Sequence, residues 1–316
     1  MMQSKEKFFR TLIDEVQSEL IGYKLEYNEV TKNNGQVLHG VNIRANEDSN
    51  VAPVLYLDDF YQGYHIGAVS YNETIEKVKA AVINNAQHVL KHSENIADRI
   101  VNYNEMKNSI YKRVINFETN KDMLKTMPHK KLSDLAVVYR AKVFSDGEGR
   151  GSVAVTKEIM ERWGVTLDAI DKVASENMKE ELVSMHLYEK MNELMDSEDV
   201  GINFEDSPVM VVLTTKEGID GASCITDKEF LAGVSEKYFS GNDFAILPSS
   251  IHEVLAVKKA ESNELEEYQS MVKEVNSSVL QPQDFLSNEV YGYDATKRQV
   301  KCLTADSPIK EKSKSR

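Results

Sequence analysis

Apolar residues recur along this chain in two periods, and the switches between them lay out the expected elements. Phe8, Phe9, Leu12, Ile13, Val16 and Leu20 fall three and four apart, which predicts an amphipathic opening helix. The period then drops to two. Tyr23 to Thr31 and Gln36 to Arg44 read as strands around Asn33-Asn34-Gly35, a hairpin signal because Asn-Gly tolerates the positive φ that such a turn demands. Ala52 to Leu57 reads as a third strand that ends in Asp58-Asp59.

A helical middle follows. Ile75, Val78, Val82, Ala86 and Val89 form one stripe and Ile96, Ile100, Tyr103 and Met106 another, with a break at His92 to Glu94. Val114 to Phe117 is a short strand; Asp134 to Phe144 and Gly151 to Thr156 are strands joined by Ser145 to Arg150. Helices are expected from Lys157 to Met195. The polar stretch Asp196 to Ser207 is read as a domain boundary, beyond which Val209 to Thr214, Ala222 to Ile225 and Phe244 to Leu247 are strands and Asp227 to Phe239 a helix capped by Thr226 and Glu229. Asn263 and Glu266 suggest a cap for a further helix, and Val290 to Tyr293 with Gln299 to Leu303 a last hairpin.

The fold class is therefore α+β: an N-terminal helix packed on a small antiparallel sheet, a helical middle and a C-terminal mixed α/β unit. Residues 1–200 form the first region, 207–303 the second and 304–316 a disordered tail, because Lys310, Lys312, Lys314 and Arg316 among serines offer little apolar surface to offset ordering entropy.

Composition narrows the classes of function. Two cysteines, Cys224 and Cys302, exclude a disulfide framework and a cysteine zinc cluster and suit a reducing cytoplasm. The opening residues lack the apolar stretch of a signal peptide, and no run approaches a membrane span, so a cytoplasmic protein without membrane attachment is expected. A net charge of -13 repels a phosphate backbone and disfavours nucleic acid as the main partner.

Several phrases occur together: Val37-Leu38-His39-Gly40 ahead of Ala52-Pro53-Val54-Leu55-Tyr56-Leu57, then Asp134-Leu135-Ala136-Val137-Val138, Leu247-Pro248-Ser249-Ser250-Ile251-His252-Glu253 and Leu286-Ser287-Asn288-Glu289-Val290-Tyr291. In these the chain resembles, over nearly its whole length, a family of uncharacterised bacterial proteins common in anaerobic gut Gram-positive bacteria, a domain of unknown function. The resemblance implies an intracellular bacterial origin and a link to accessory or mobile genome regions. It brings no activity, cofactor or catalytic residue.

The richest chemistry in one segment is Ser249, Ser250, His252 and Glu253, which supplies nucleophile, base and carboxylate types. Triad members usually come from separate segments, and the Gly-x-Ser-x-Gly elbow is absent. Ser250 and Glu253 are better explained as a capping box after a strand ended by Pro248, with Ser250, His252 and Glu253 kept as catalytic candidates. Asp58 and Asp59 are metal candidates, since hard carboxylate oxygens suit magnesium or manganese, but adjacent side chains on a strand point apart unless the chain turns between them.

His88 and His92 have the four-residue spacing of helical zinc ligands without the glutamate of His-Glu-x-x-His. Gly147 to Gly151 is glycine-rich, yet it precedes a strand and carries acidic neighbours, so it reads as a hairpin tip and not a phosphate loop. Trp163 reads as a packing anchor. No cofactor is called for. The leading expectation is an accessory protein that binds a protein or small ligand; the alternative is a metal-dependent hydrolase or nuclease using Asp58, Asp59, His252 and Glu253.

Overall fold

The computed structural model describes residues 4–44, 52–92, 96–146, 149–195, 209–259, 261 and 264–304; of 88–92, 149 and 193–195 the backbone alone is described. The chain divides into two compact units, one of residues 1–106 with 142–152 and one of 107–141 with 153–316.

In the first unit, α1 (Lys5–Glu19) starts where the Ser4 hydroxyl accepts the Lys7 amide at 3.3 Å, one of the donors that a helix start leaves unpaired. Its apolar stripe is buried against an antiparallel sheet of β1 (Lys24–Thr31), β2 (Val37–Arg44) and β3 (Val54–Tyr56). Asn34 and Gly35 take φ of 60° and 69° between β1 and β2, as the Asn-Gly signal requires. The register pairs Leu25 with Ile43 and Tyr27 with Val41, so one face of the hairpin carries apolar residues to the helix side, and Val41 pairs in turn with Leu55. A tight approach at Gly40, where a Cβ would sit 2.6 Å from Val54 Cγ1, lets β3 pack close.

Against this core pack α2 (Asp58–His65) and α3 (Tyr71–His92); α4 (Ile96–Val101) and a short α5 (Tyr103–Met106) follow in the chain. Before α3, Ser70 and Glu73 form a reciprocal capping box, with Glu73 N donating to Ser70 Oγ at 3.3 Å and Ser70 N to Glu73 Oε2 at 2.7 Å.

The second unit begins with β4 (Ile110–Asn116), α6 (Lys121–Leu124), β5 (His129–Leu132), β6 (Leu135–Asp146) and β7 (Gly149–Ala154); β6 pairs with all three of the other strands, and its outer part with β7 falls in the first unit. Then α7 (Lys157–Trp163) and α8 (Leu167–Met178) each start at a threonine, Thr156 and Thr166, whose hydroxyl accepts an amide three residues on. Trp163 is buried at the end of α7, and Gly164, at φ 65°, closes that helix. Asp171 on α8 ties the helix to the sheet through Lys112 Nζ, Lys130 Nζ and the Tyr139 hydroxyl, each at 2.9 Å.

The rest is β8 (Leu182–His186), α9 (Leu187–Met195), β9 (Met210–Thr215), α10 (Lys228–Phe239), β10 (Phe244–Pro248), β11 (Val254–Lys258), α11 (Leu265–Ser278), β12 (Tyr291–Asp294) and β13 (Gln299–Cys302). A six-stranded sheet in the order β13-β12-β10-β11-β9-β8 runs through it, antiparallel at every step. The protein is α+β. No helix among the described residues is long and apolar enough to cross a membrane.

Several elements differ from expectation for local reasons. Residues 221–226 form a 3-10 turn and not a strand: the Ser223 and Thr226 hydroxyls donate to carbonyls three residues earlier, at 2.6 and 2.8 Å, and hold the backbone curled. The cap of α10 is Asp227, whose carboxylate accepts from Glu229 N and Phe230 N, and not Thr226, which is occupied by that turn. β8 occurs where helices were expected, because β9 offers it a full antiparallel edge. This pairing joins the two sides of the polar stretch 196–207, which lies outside the described residues. Gly147 and Glu148, Asn263, the side chains of His88 and His92, and the tail 305–316 also lie outside the described residues.

Candidate functional site

The segment that follows Pro248 is a five-residue connection between β10 and β11, with Pro248 paired to Val254. No helix starts there. Ser250 nevertheless does for this turn what a cap does for a helix: its hydroxyl oxygen accepts the amides of His252 at 3.0 Å and Glu253 at 3.2 Å, and its own amide donates to Glu253 O at 3.1 Å. The capping box expected of Ser250 and Glu253 is thus a hairpin turn, in which Glu253 contributes its backbone and its carboxylate does not reach back to the Ser250 amide. β11 was missed because a serine-rich turn after a proline reads equally well as a helix start.

His252 is held by three segments from elsewhere in the second unit. The amide of Asp220 donates to Nδ1 at 3.2 Å, the Thr214 hydroxyl donates to the His252 carbonyl at 2.8 Å, and Nε2 lies 3.3 Å from Asp284 Oδ1. Since Nδ1 accepts, the neutral ring carries its proton on Nε2, the nitrogen that faces Asp284. Both nitrogens are engaged. Ser250 and His252 therefore share a turn without forming a nucleophile–base pair, as the hydrogen bond between them runs from a backbone amide.

Asp220 is the hub behind this histidine. It is 1% exposed, it sits at φ 59°, and it forms a two-pronged ion pair with Arg113 of β4, Nε to Oδ1 at 2.6 Å and Nη2 to Oδ2 at 3.0 Å. Such a pair satisfies both carboxylate oxygens, which a buried aspartate requires. Next to it Gly221 is obligatory: a Cβ there would lie 2.3 Å from both the His252 carbonyl oxygen and Thr214 Oγ1. Arg140 of β6 adds a second guanidinium, whose pKa is lowered by burial and by the nearby Arg113.

Asp58 and Asp59 belong to the first unit and do not act as a pair. Asp58 opens α2, where one carboxylate oxygen accepts from Lys5 Nζ and the other from the His39 amide, both at 2.7 Å. Asp59, one residue on, is exposed in the first helical turn. The chain does turn at this point, but by starting a helix, whose positive N-terminal end favours both carboxylates without any cation. Among the described residues, no three or more histidine, cysteine, aspartate or glutamate side chains are grouped to hold a metal ion.

A family model described as a family of unknown function, DUF5688, matches residues 5–295. The chain belongs to this family. No curated protein and no solved structure matches it.

A second histidine cluster, which no motif marks, lies in the first unit. In the β1–β2 register Glu29 pairs with His39 and Tyr27 with Val41, so the helix-facing side of the hairpin turns from apolar to polar at its outer end. The Tyr27 hydroxyl lies 2.8 Å from Glu29 Oε1 and 2.7 Å from His39 Nδ1. Burial, then the hydrogen bond to Glu29, pushes the tyrosine pKa up to about 12. The signal was available: once the Asn-Gly turn fixes the register, Tyr27, Glu29 and His39 fall on one face.

Proposed function

We propose that this protein is an accessory protein that works by binding a protein or a small ligand, and not by catalysis at the β10–β11 turn. The observation that carries this reading is the full engagement of His252: with Nδ1 accepting a backbone amide and Nε2–H directed at Asp284, the ring has no lone pair for a substrate proton. Ser250 is likewise committed to two backbone amides and Asp58 to Lys5 and His39, which gives these two candidates, like His252, structural duties.

The test is an assay of the full chain with p-nitrophenyl acetate and bis(p-nitrophenyl) phosphate, with magnesium, manganese or zinc added. No turnover that depends on His252 is expected. Turnover that disappears in both His252→Gln and Asp58→Asn would sink the binding reading and establish the metal-dependent hydrolase.

A further inference from the structure

The side chains of Tyr27, Glu29 and His39 impose a proton arrangement on one another. An ionised carboxylate only accepts, so the single hydroxyl proton of Tyr27 goes to Glu29 at 2.8 Å. The tyrosine oxygen is then an acceptor toward His39, and the contact of 2.7 Å requires that Nδ1 carry a proton. A neutral His39 consequently keeps its lone pair on Nε2. That atom makes no hydrogen bond among the described residues and is not one of the enclosed, unsatisfied atoms, so it meets solvent at the edge of a side chain that is 18% exposed.

The ring is also fixed in place. It lies 4.9 Å from the ring of the buried Phe9, and the His39 backbone is pinned on both sides, its amide donating to Asp58 and its carbonyl accepting from Leu57 N at 2.8 Å. Of the formal charges around it, Lys5 pairs with Asp58 at 2.7 Å and Arg10, stacked 4.4 Å over the Tyr27 ring, with Glu6 at 2.9 Å, while the half-exposed Glu29, held by the Tyr27 hydroxyl, adds a carboxylate 3.9 Å from the ring. That carboxylate disfavours an anion here and suits a hydrogen-bond donor. What the ring presents is one oriented acceptor.

We propose that His39 is a ligand site, in which Nε2 accepts a hydrogen bond from the hydroxyl or amide N–H of a neutral polar small molecule. The site rests on the binding reading above and narrows its ligand class. It is the arrangement in which one group orients a histidine and leaves the opposite nitrogen to the ligand.

The experiment uses the full chain labelled with nitrogen-15 and reads the histidine side chains by NMR. His39 is expected in the Nδ1–H tautomer at a pH where it is neutral, with loss of that preference in Tyr27→Phe. Phenol and N-methylacetamide, titrated at millimolar concentration, are expected to shift the Nε2 resonance of His39 and not that of His252. Diethyl pyrocarbonate, which is attacked by an unprotonated imidazole nitrogen, is expected to label His39 at Nε2 several-fold more slowly in Tyr27→Phe, with the rate at exposed His65 unchanged. An Nε2–H tautomer in the wild type, or His39 resonances indifferent to both probes, would overturn the proposal. Neither result depends on the hydrolase assay, so a His252-dependent turnover would remove the binding reading while leaving the His39 tautomer to be judged on its own.

Discussion

The two histidine clusters, one in each unit, use the same ring in opposite ways. His252 closes a turn: a backbone amide, a hydroxyl and a carboxylate from three separate segments meet it, and both ring nitrogens are engaged. His39 is met by a tyrosine and a carboxylate of one neighbouring strand, and one nitrogen stays open. A serine and a glutamate beside a histidine in sequence thus say little about whether its ring is available. What decides is how many donors and acceptors the fold brings to the ring.

The largest loss is expected at the hub behind His252. Arg113→Ala would leave the Asp220 carboxylate buried and unpaired, at a cost of about 3 kcal/mol or more. Because the Asp220 amide is what holds Nδ1, the variant should also loosen the His252 ring. The check is a denaturant titration together with the His252 side-chain resonance. A variant as stable as the wild type with an unchanged resonance would mean that the ion pair is not what positions the turn.

Gly221→Ala attacks the same contact from the other side. The added methyl meets backbone atoms, the His252 carbonyl oxygen at 2.3 Å and Thr214 Cα at 2.6 Å, so relief requires the turn to move. Overpacking of this kind costs about 2 kcal/mol. The expected outcome is a lowered denaturant midpoint with the Tyr27–His39 signals intact. An unchanged midpoint would show that the turn has slack.

How much of this was legible in the sequence follows from the range of the interactions. The first hairpin was readable because Asn34 and Gly35 dictate their own φ and the alternation of β1 and β2 fixes the faces. The helix stripes of α1 and α3 were readable for the same reason, since each is set by residues three and four apart. β11 and β8 were not, because strands are stabilised by partners far along the chain, and the turn at Ser250 offers the same serine–glutamate spacing that starts a helix. The environment of His252 was illegible in principle: Asp220 and Asp284 each lie 32 residues away and nothing in their local sequence marks them. The His39 cluster was legible and overlooked, since it needs only the hairpin register.

Ser250→Ala is milder. It removes one acceptor shared by two amides at a turn whose strands remain paired, so a loss of about 1 kcal/mol is expected without loss of the fold. The measurement is the denaturant midpoint, compared with that of Gly221→Ala. A loss equal to that of the glycine variant would make Ser250 as essential as the close approach behind it and would blur the distinction between a tied turn and a packed one.

At neutral pH the smallest effect is expected in the first unit, where the change becomes visible only at high pH. Burial and the Glu29 hydrogen bond raise the Tyr27 pKa to about 12 from its ordinary value near 10, so the folded form favours the protonated phenol. A group raised in the folded state lends stability that is fully present below its unfolded pKa and is lost as the pH climbs through the folded one. The loss attributable to Tyr27 should therefore fall between about pH 10 and 12. Tyr27→Phe should remove that segment of the stability profile, and with it the acceptor that fixes His39, while the His252 cluster has no part in it. Denaturant titrations of wild type and variant across this range, run alongside the ultraviolet absorbance of the phenolate, provide the comparison. If the two profiles stay parallel to pH 12, Tyr27 is not held between Glu29 and His39 in solution, and the contrast between an open and a closed histidine loses its first half.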